Sequence, residues 1–431
     1  MDTSTGNSHV RLQVIPPTAN GTADTGQLQQ ENHADWNAQI ERLIVKNPPA
    51  GLYMHIPFCF HKCHYCDFYS IAEPLGEAND RQAVFCDRLI DELTWRSGWL
   101  APGPVTIFAG GGTPTYMRVD LWQRLLRAMR RLGLLDRVEE FTVEANPETV
   151  TPPLAQVLAQ GGVNRVSIGC QSFDPGLLKT LERWHDPQSV ARAVAHFRQA
   201  GISNINLDLI HAIPGQTLEM VDADLDAALA LGPVHVSHYA LTYEPNTAMT
   251  QRLRQGQFTP VDDELARGMY QRIMDRLATE GFEHYEISNW SRRSEVGGAE
   301  PCTNRCRHNM LYWSNGNWLG VGPAAASHVA GHRWKNDPHL GRYLDARPQP
   351  AIVDHENLSS SRRPGEQIML RLRLRQGITL EWIDANLADN DARLEVIDQM
   401  IGAGLLEKTQ THLRLTRPGL FVADAVISRL L

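Results

Sequence analysis

From residue 51 onward, short β-rich apolar runs alternate with amphipathic helical stretches, and this alternation restricts the chain to a parallel-sheet architecture. The strand-like runs are LYMHI (52–56), VTIFA (105–109), EFTVEA (140–145), RVSIG (165–169), INLDLI (205–210) and HVSHYAL (235–241). Between them lie helical patterns such as RQAVFCDRLIDELTWR (81–96), DLWQRLLRAMRRLG (120–133) and EMVDADLDAALALG (219–232). Six such units predict an α/β fold, a partial (β/α)6 barrel rather than a closed eight-fold one.

The rest of the chain is organised around that barrel. Residues 1–45, rich in Thr, Gly, Asn and Gln, read as a disordered tail, and 46–290 as the barrel. Residues 291–345 begin with the polar run SRRSEVGGAEP, read as a mobile loop, and continue through HNMLYW (308–313) and LGVGPAAAS (319–327). Residues 346–431 follow the Pro-rich RPQP and end in GLLEKTQTHLRLTRPG, a β-hairpin pattern that fits a small winged-helix-like domain.

Composition narrows the function classes. Of the 431 residues 42% are hydrophobic, and the net charge of −8 argues against broad nucleic-acid binding. The C-terminal stretch 360–431 holds ten Lys/Arg against nine Asp/Glu, without the basic excess of a DNA reader. Its cluster Arg362, Arg363, Arg371, Arg373 and Arg375 reads as a solvated helix face, or as a surface for propionates or a membrane. No apolar run is long enough to span a bilayer and the N-terminus carries no secretory pattern, so a cytoplasmic location is expected.

The chemistry begins at CFHKCHYCDF (59–68). Five of the seven cysteines sit in two tight clusters, a pattern of metal or catalysis rather than of disulfides. Cys59-x3-Cys63-x2-Cys66 supplies three thiolates and no nearby fourth. Three thiolates hold three irons of a four-iron cluster and leave the fourth open to another ligand. The alternative is zinc completed by Cys302, Cys306, His61 or His64. The other polar motifs fall at strand ends, where barrels gather their ligand sites. GGGTP (110–114) follows the second strand, Glu144 ends the third and Gln171 follows the fourth, while Asp208 and Tyr239-Ala240 lie in the fifth and sixth. Each alone reads equally well as a turn or a strand-end cap. Cys86 and Cys170 fall in helix and strand patterns and read as core.

The run LYMHIPFCFHKCHYCDF, with GGGTP, VEANP, SIGCQSF and LDLIHAIPGQT, resembles the radical S-adenosylmethionine (SAM) superfamily. Within it, the likeness is to the coproporphyrinogen III dehydrogenase-like branch, over about residues 50–430. The resemblance implies a [4Fe-4S] cluster on Cys59, Cys63 and Cys66, with SAM on the open iron. It implies SAM contacts at Tyr53, Tyr65, Gly111, Gly112, Thr113, Glu144, Gln171, Arg183, Asp208 and Ala240. The dehydrogenases of the branch carry a further cysteine two positions after the third, where this chain has Phe68. The Cys-Asp-Phe form resembles the haem chaperones of the branch, for which haem is cargo handed to haemoproteins such as respiratory enzymes. HNMLYW fits their HNxxYW pattern, which implies His308 as a haem ligand walled by Tyr312 and Trp313, with Cys306 as an alternative axial ligand. A histidine that merely holds a loop is the competing reading. Glu182 stands where the family has a glycine before Arg183, and GPAAASH replaces its Gly-Ala-His-Ser pattern. The alternative is an oxygen-independent coproporphyrinogen III dehydrogenase of porphyrin biosynthesis; whether the chain is an enzyme stays open, and no catalytic residue is assigned. Homodimerisation and peripheral membrane contact are further expectations.

Overall fold

A computed structural model of the protein describes residues 33–73, 80–293, 304–347 and 349–431. At its centre lies a twelve-stranded sheet. Six strands run parallel in chain order: β1 (Gly51–Ile56), β2 (Thr106–Gly111), β3 (Glu140–Ala145), β4 (Arg165–Gln171), β5 (Asn204–His211) and β6 (His235–Ala240). These are the six strands expected from the sequence, and β4 shows why they are legible. Arg165 through Cys170 are all buried, as a parallel strand covered on both faces must be.

The sheet is extended on both sides. Beyond β6 lies the hairpin β7 (Phe282–Glu286) and β8 (Asn289–Arg292), with β8 antiparallel to β6. Beyond β1 lies β9 (Trp318–Val321), parallel to it, followed by the antiparallel β10 (Ala326–Val329), β11 (His332–Asn336) and β12 (Ile352–Asn357). The polar run from 291 therefore begins as strand, and its residues 294–303, Cys302 included, lie outside the described residues.

The barrel helices follow the amphipathic patterns, and helix Arg81–Arg96 matches its expected bounds residue for residue. Helix Val119–Arg131 buries Leu121, Trp122, Leu125, Leu126, Ala128 and Met129, a stripe at helical spacing. Side-chain caps start the later helices: Thr151, Asp186, Thr217 and Asp262 each accept from a backbone N–H of the first turn.

Two compact units emerge. One comprises Ile44–Tyr312 and Gly316–Asn357 and carries the large sheet; the other comprises Trp313–Asn315, Leu358–Leu431 and, among the described residues before Ile44, residues 33–43. The C-terminal part of the second unit starts at Leu358, because Ile352–Asn357 joins the main sheet. It holds helices Arg363–Leu372, Leu380–Asn386 and Ala392–Gly402 and an antiparallel sheet of Ile378–Thr379, Leu406–Lys408 and His412–Leu415. The expected hairpin is present, with Leu406 opposite Leu415. Within this unit Arg373 lies over the Trp313 ring and Arg375 donates to the Leu415 carbonyl, so part of the arginine cluster is engaged internally.

One correction concerns the N-terminus. Helix His33–Lys46 occupies the last part of the stretch read as a disordered tail, and Ile40 and Ile44 are buried. Two buried isoleucines one turn apart suffice to dock a helix whose other positions are mostly polar. Residues 1–32 lie outside the described residues.

Candidate cofactor site at the strand ends

The three-cysteine loop is closed at its base by a two-strand pairing. Phe58–Cys59 runs parallel to Ile71–Ala72, Ile71 donates to the Pro57 carbonyl and Glu73 to that of Cys59. Farther out, Met249 donates to the His64 carbonyl at 2.9 Å, and Tyr65 packs on Leu177, Leu181, Ile210, Ile213 and Met249. The loop is therefore held from both sides of the barrel mouth. Cys59 is buried, Cys63 and Cys66 are half-buried, and all three are free thiols. Burial raises the Cys59 thiol and pushes that of Cys66 up to about 11. Such thiols lose their protons readily only to a bound cation.

The glycine run after β2 anchors this loop. Gly111 has φ +102°, and a Cβ there would lie 2.4 Å from the His55 ring; one on Gly112 would lie 2.7 Å from the Pro57 carbonyl carbon. The N–H groups of Gly112 and Thr113 donate to the carbonyls of Ile56 and Phe58, and that of Gly111 donates to Glu144 Oε2. These N–H groups tie the cysteine loop down instead of facing outward, while Thr113 Oγ1 donates to Cys59 Sγ at 3.4 Å. Trp122, fully buried, donates to the Pro114 carbonyl and fixes the end of the turn.

The remaining strand ends close around the thiols. Arg183 donates to the Gly169 carbonyl at 2.7 Å and approaches Cys63 Sγ at 3.6 Å. A Cβ on Gly169 would lie 2.7 Å from Arg183 and 2.8 Å from the Gln171 amide, so this glycine makes room for both. Gln171 turns out of β4 with φ +65°, and the turn is held by Asp224, which accepts from Ser172 Oγ and the Phe173 N–H. Asp208 accepts from Ser167 Oγ and Asn206 Nδ2, and burial nevertheless raises its carboxyl. Burial, then the charge of Asp208, pushes the Glu144 carboxyl up to about 8. Two adjacent carboxyls of raised affinity for protons form a natural seat for a cation. Tyr53 hydrogen-bonds His55 Nδ1, and Ala240 ends β6 opposite His211. Direct contacts thus pair Cys59 with Thr113, Cys63 with Arg183 and Gly111 with Glu144, and Glu144 feels the charge of Asp208; Ala240 lies three positions beyond Ser237, the strand partner of Asp208.

HNMLYW lies elsewhere. His308 Nδ1 pairs with Thr106 Oγ1 at 2.8 Å and its Nε2 with the Tyr312 hydroxyl at 2.8 Å; its backbone N–H donates to Glu140. Thr106 and Glu140 are the first residues of β2 and β3, about 16 Å along the strands from the cysteine end. His308 is fully buried, and burial lowers its imidazole to about 3. Both ring nitrogens of His308 thus already have partners, and ligating haem would require one of these hydrogen bonds to open. Cys306 is likewise fully buried beside Glu140, its thiol pushed up to about 12, and is no axial ligand in this conformation. The Tyr312 ring packs against His308 and Trp318 rather than walling an open cavity.

The same placement removes Cys306 from any zinc site with Cys59, Cys63 and Cys66. His61 packs against Trp184 and His64 pairs with Arg252. Among the described residues no group of three or more His, Cys, Asp and Glu side chains is placed to hold a lone metal ion. Three thiols spaced along one loop match in number and kind the thiolates that hold three irons of a four-iron cluster. Cys86 and Cys170 are fully buried core residues, as expected. The sequence reading missed His55, whose ring sits between Tyr53 and Gly111 and whose Nε2 meets the Tyr69 carbonyl. Its position at the end of LYMHIP was the available signal.

A partial barrel with three thiols on the loop after its first strand defines the radical SAM class. The profile of the Radical SAM superfamily matches residues 53–228, and that of the HemN C-terminal domain matches 358–422. The chain is 35% identical to the haem chaperone HemW of Lactococcus lactis, covering 89% of this chain and 97% of that one. It is 36% identical to the HemW of Mycobacterium tuberculosis, over 89% and 95% of the two chains. The chain belongs to the HemW family. The solved coproporphyrinogen III oxidase (HemN) of Escherichia coli shares the fold, with a TM-score of 0.76 at 19% identity over 91% of this chain and 93% of that one. Among the described residues no helix is long and apolar enough to cross a membrane.

Proposed function

We propose that this protein is a haem chaperone that carries a [4Fe-4S] cluster on Cys59, Cys63 and Cys66 and binds SAM across the strand ends. It binds haem as cargo and delivers it in the cytoplasm to haemoproteins such as respiratory enzymes. The observation that carries this reading is Phe68. Where the dehydrogenases of the branch place a fourth cysteine, this chain presents an aromatic ring that is 67% exposed.

SAM on a reduced cluster supplies radical chemistry, and the protein's own part is to seat and orient it. Gly111 and Gly112 hold the loop close to β1, Arg183 sets a positive charge beside Cys63, and Glu144 and Asp208 receive the ligand's positive groups.

The test is anaerobic. Reconstituted protein titrated with haem should develop a saturable Soret band at about one haem per chain and pass haem to an apo-haemoprotein. Given SAM, reductant and coproporphyrinogen III, it should form no protoporphyrinogen IX. Sustained turnover of that substrate would return the assignment to a dehydrogenase.

A further inference from the structure

A chain of buried side chains crosses the barrel interior and ends on Asp208. The Cys306 backbone N–H meets the Tyr285 hydroxyl at 3.3 Å, and that hydroxyl meets His235 Nε2 at 2.8 Å. His235 Nδ1 meets Asn206 Oδ1 at 2.6 Å, and Asn206 Nδ2 reaches Asp208 Oδ1 at 2.8 Å and Ser167 Oγ at 2.6 Å. Ser167 Oγ donates to Asp208 Oδ2 at 2.9 Å, and Ser237 Oγ lies 2.9 Å from Asn206 Nδ2. Asn206 and His235 are fully buried, and Tyr285, Ser167 and Ser237 nearly so.

The direction of each hydrogen bond follows from the Asp208 end. Asn206 Nδ2 donates to Asp208 Oδ1, which turns Asn206 Oδ1 toward His235, where it also accepts from Ser237 Oγ. An amide oxygen only accepts, so the proton of the neutral imidazole sits on Nδ1, and Nε2 is left to accept from the Tyr285 hydroxyl. The Tyr285 oxygen in turn accepts from the Cys306 backbone N–H. Each donor thus points toward Asp208, an arrangement in which successive hydrogen bonds polarise one another.

We propose that Tyr285, His235 and Asn206 are positioning residues for SAM, a one-directional relay that orients Asp208 and couples the SAM seat to the segment beginning at Cys306. The role rests on the reading of Asp208 as a SAM contact. It gives the interior polar chain a use that core packing does not require, since a hydrophobic filling would be as stable. It also links HNMLYW to the mouth without placing any ligand at His308.

The test uses full-length, anaerobically reconstituted protein, with SAM affinity read by equilibrium dialysis and by the SAM-induced change in the spectrum of the reduced cluster. Tyr285→Phe removes one hydroxyl and lets the imidazole change tautomer; it should weaken SAM about threefold. Asn206→Asp keeps the shape but faces Asp208 with a carboxylate, and should weaken SAM on the order of tenfold or more. Iron and sulfide content should stay at the wild-type level in both, and the losses should follow position along the relay rather than melting temperature. If Asn206→Asp fails to fold, Tyr285→Phe decides alone. Wild-type SAM affinity in Tyr285→Phe, or a loss that tracks falling iron content or melting temperature, would overturn the relay. A wild-type protein that binds its cluster but no SAM would instead overturn the functional reading on which the relay rests.

Discussion

The cysteine loop and the HNMLYW helix are both strong motifs, yet the barrel treats them in opposite ways. At the mouth, three thiols are free, and the aromatic rings of Phe60, Phe68 and Trp184 are 63%, 67% and 69% exposed. At the other end of the strands, His308 is sealed, with Thr106 and Tyr312 on its two nitrogens. One region keeps its bonding capacity open; the other uses it to hold the fold.

The largest expected effect breaks the mouth. Replacing Cys59, Cys63 or Cys66 with Ser should abolish stable cluster assembly, because each thiolate holds one iron. Iron and sulfide analysis after reconstitution checks this, and full iron in the triple variant would refute the ligand set.

At the opposite end, His308→Ala should leave iron content intact but destabilise the protein without haem by roughly 2–4 kcal/mol, measured by denaturant unfolding. The substitution opens a cavity and strands the Thr106 and Tyr312 hydroxyls. An unchanged unfolding midpoint would show that His308 is no strut.

The buried histidines and the buried Glu144 respond oppositely to pH. Burial lowers His55 and His211 to about 4 and His185 and His308 to about 3. Their folded values lie below the unfolded value near 6.5, so the stability they contribute is present above that pH and lost as pH falls below it. Each contributes a slope of up to about 1.4 kcal/mol per pH unit within its window. Glu144, raised to about 8, acts with the opposite sign: its contribution is full below about pH 4.5 and lost as pH rises toward 8. Glu144→Gln should flatten the alkaline limb of apo-protein stability and leave the acid limb unchanged. Loss of the acid limb in that variant would contradict the assignment.

These particulars show where the sequence was readable. The six parallel strands and helix Arg81–Arg96 were legible because burial on two faces, or on one stripe, writes itself into residue periodicity. The additions β9–β12 were not, since four- to six-residue strands broken by turns carry little periodic signal. Helix His33–Lys46 escaped because it follows directly on a Thr-, Gly-, Asn- and Gln-rich stretch and two of its seven apolar residues are alanines. The cysteine ligands were legible from spacing within one loop. The state of His308 was not, because its partner Thr106 lies 202 positions away and no local pattern reports that pairing.

The smallest effect refines the mouth. Glu182 has φ +54°, a left-handed conformation, at the position where the family pattern has glycine. Glu182→Gly should stabilise the protein by about 0.5 kcal/mol, the relieved strain being partly offset by the greater freedom of glycine when unfolded. Thermal unfolding checks the sign, and a destabilised variant would show that the Glu182 side chain outweighs the strain.

The account stands most directly on the electron paramagnetic resonance spectrum of the reduced, reconstituted wild-type protein, recorded with and without SAM beside iron and sulfide assays. It predicts about four irons and four sulfides per chain, and a cluster signal that SAM alters because one iron lacks a protein ligand. Zinc in place of iron after anaerobic purification, or a four-iron signal indifferent to saturating SAM, would contradict it.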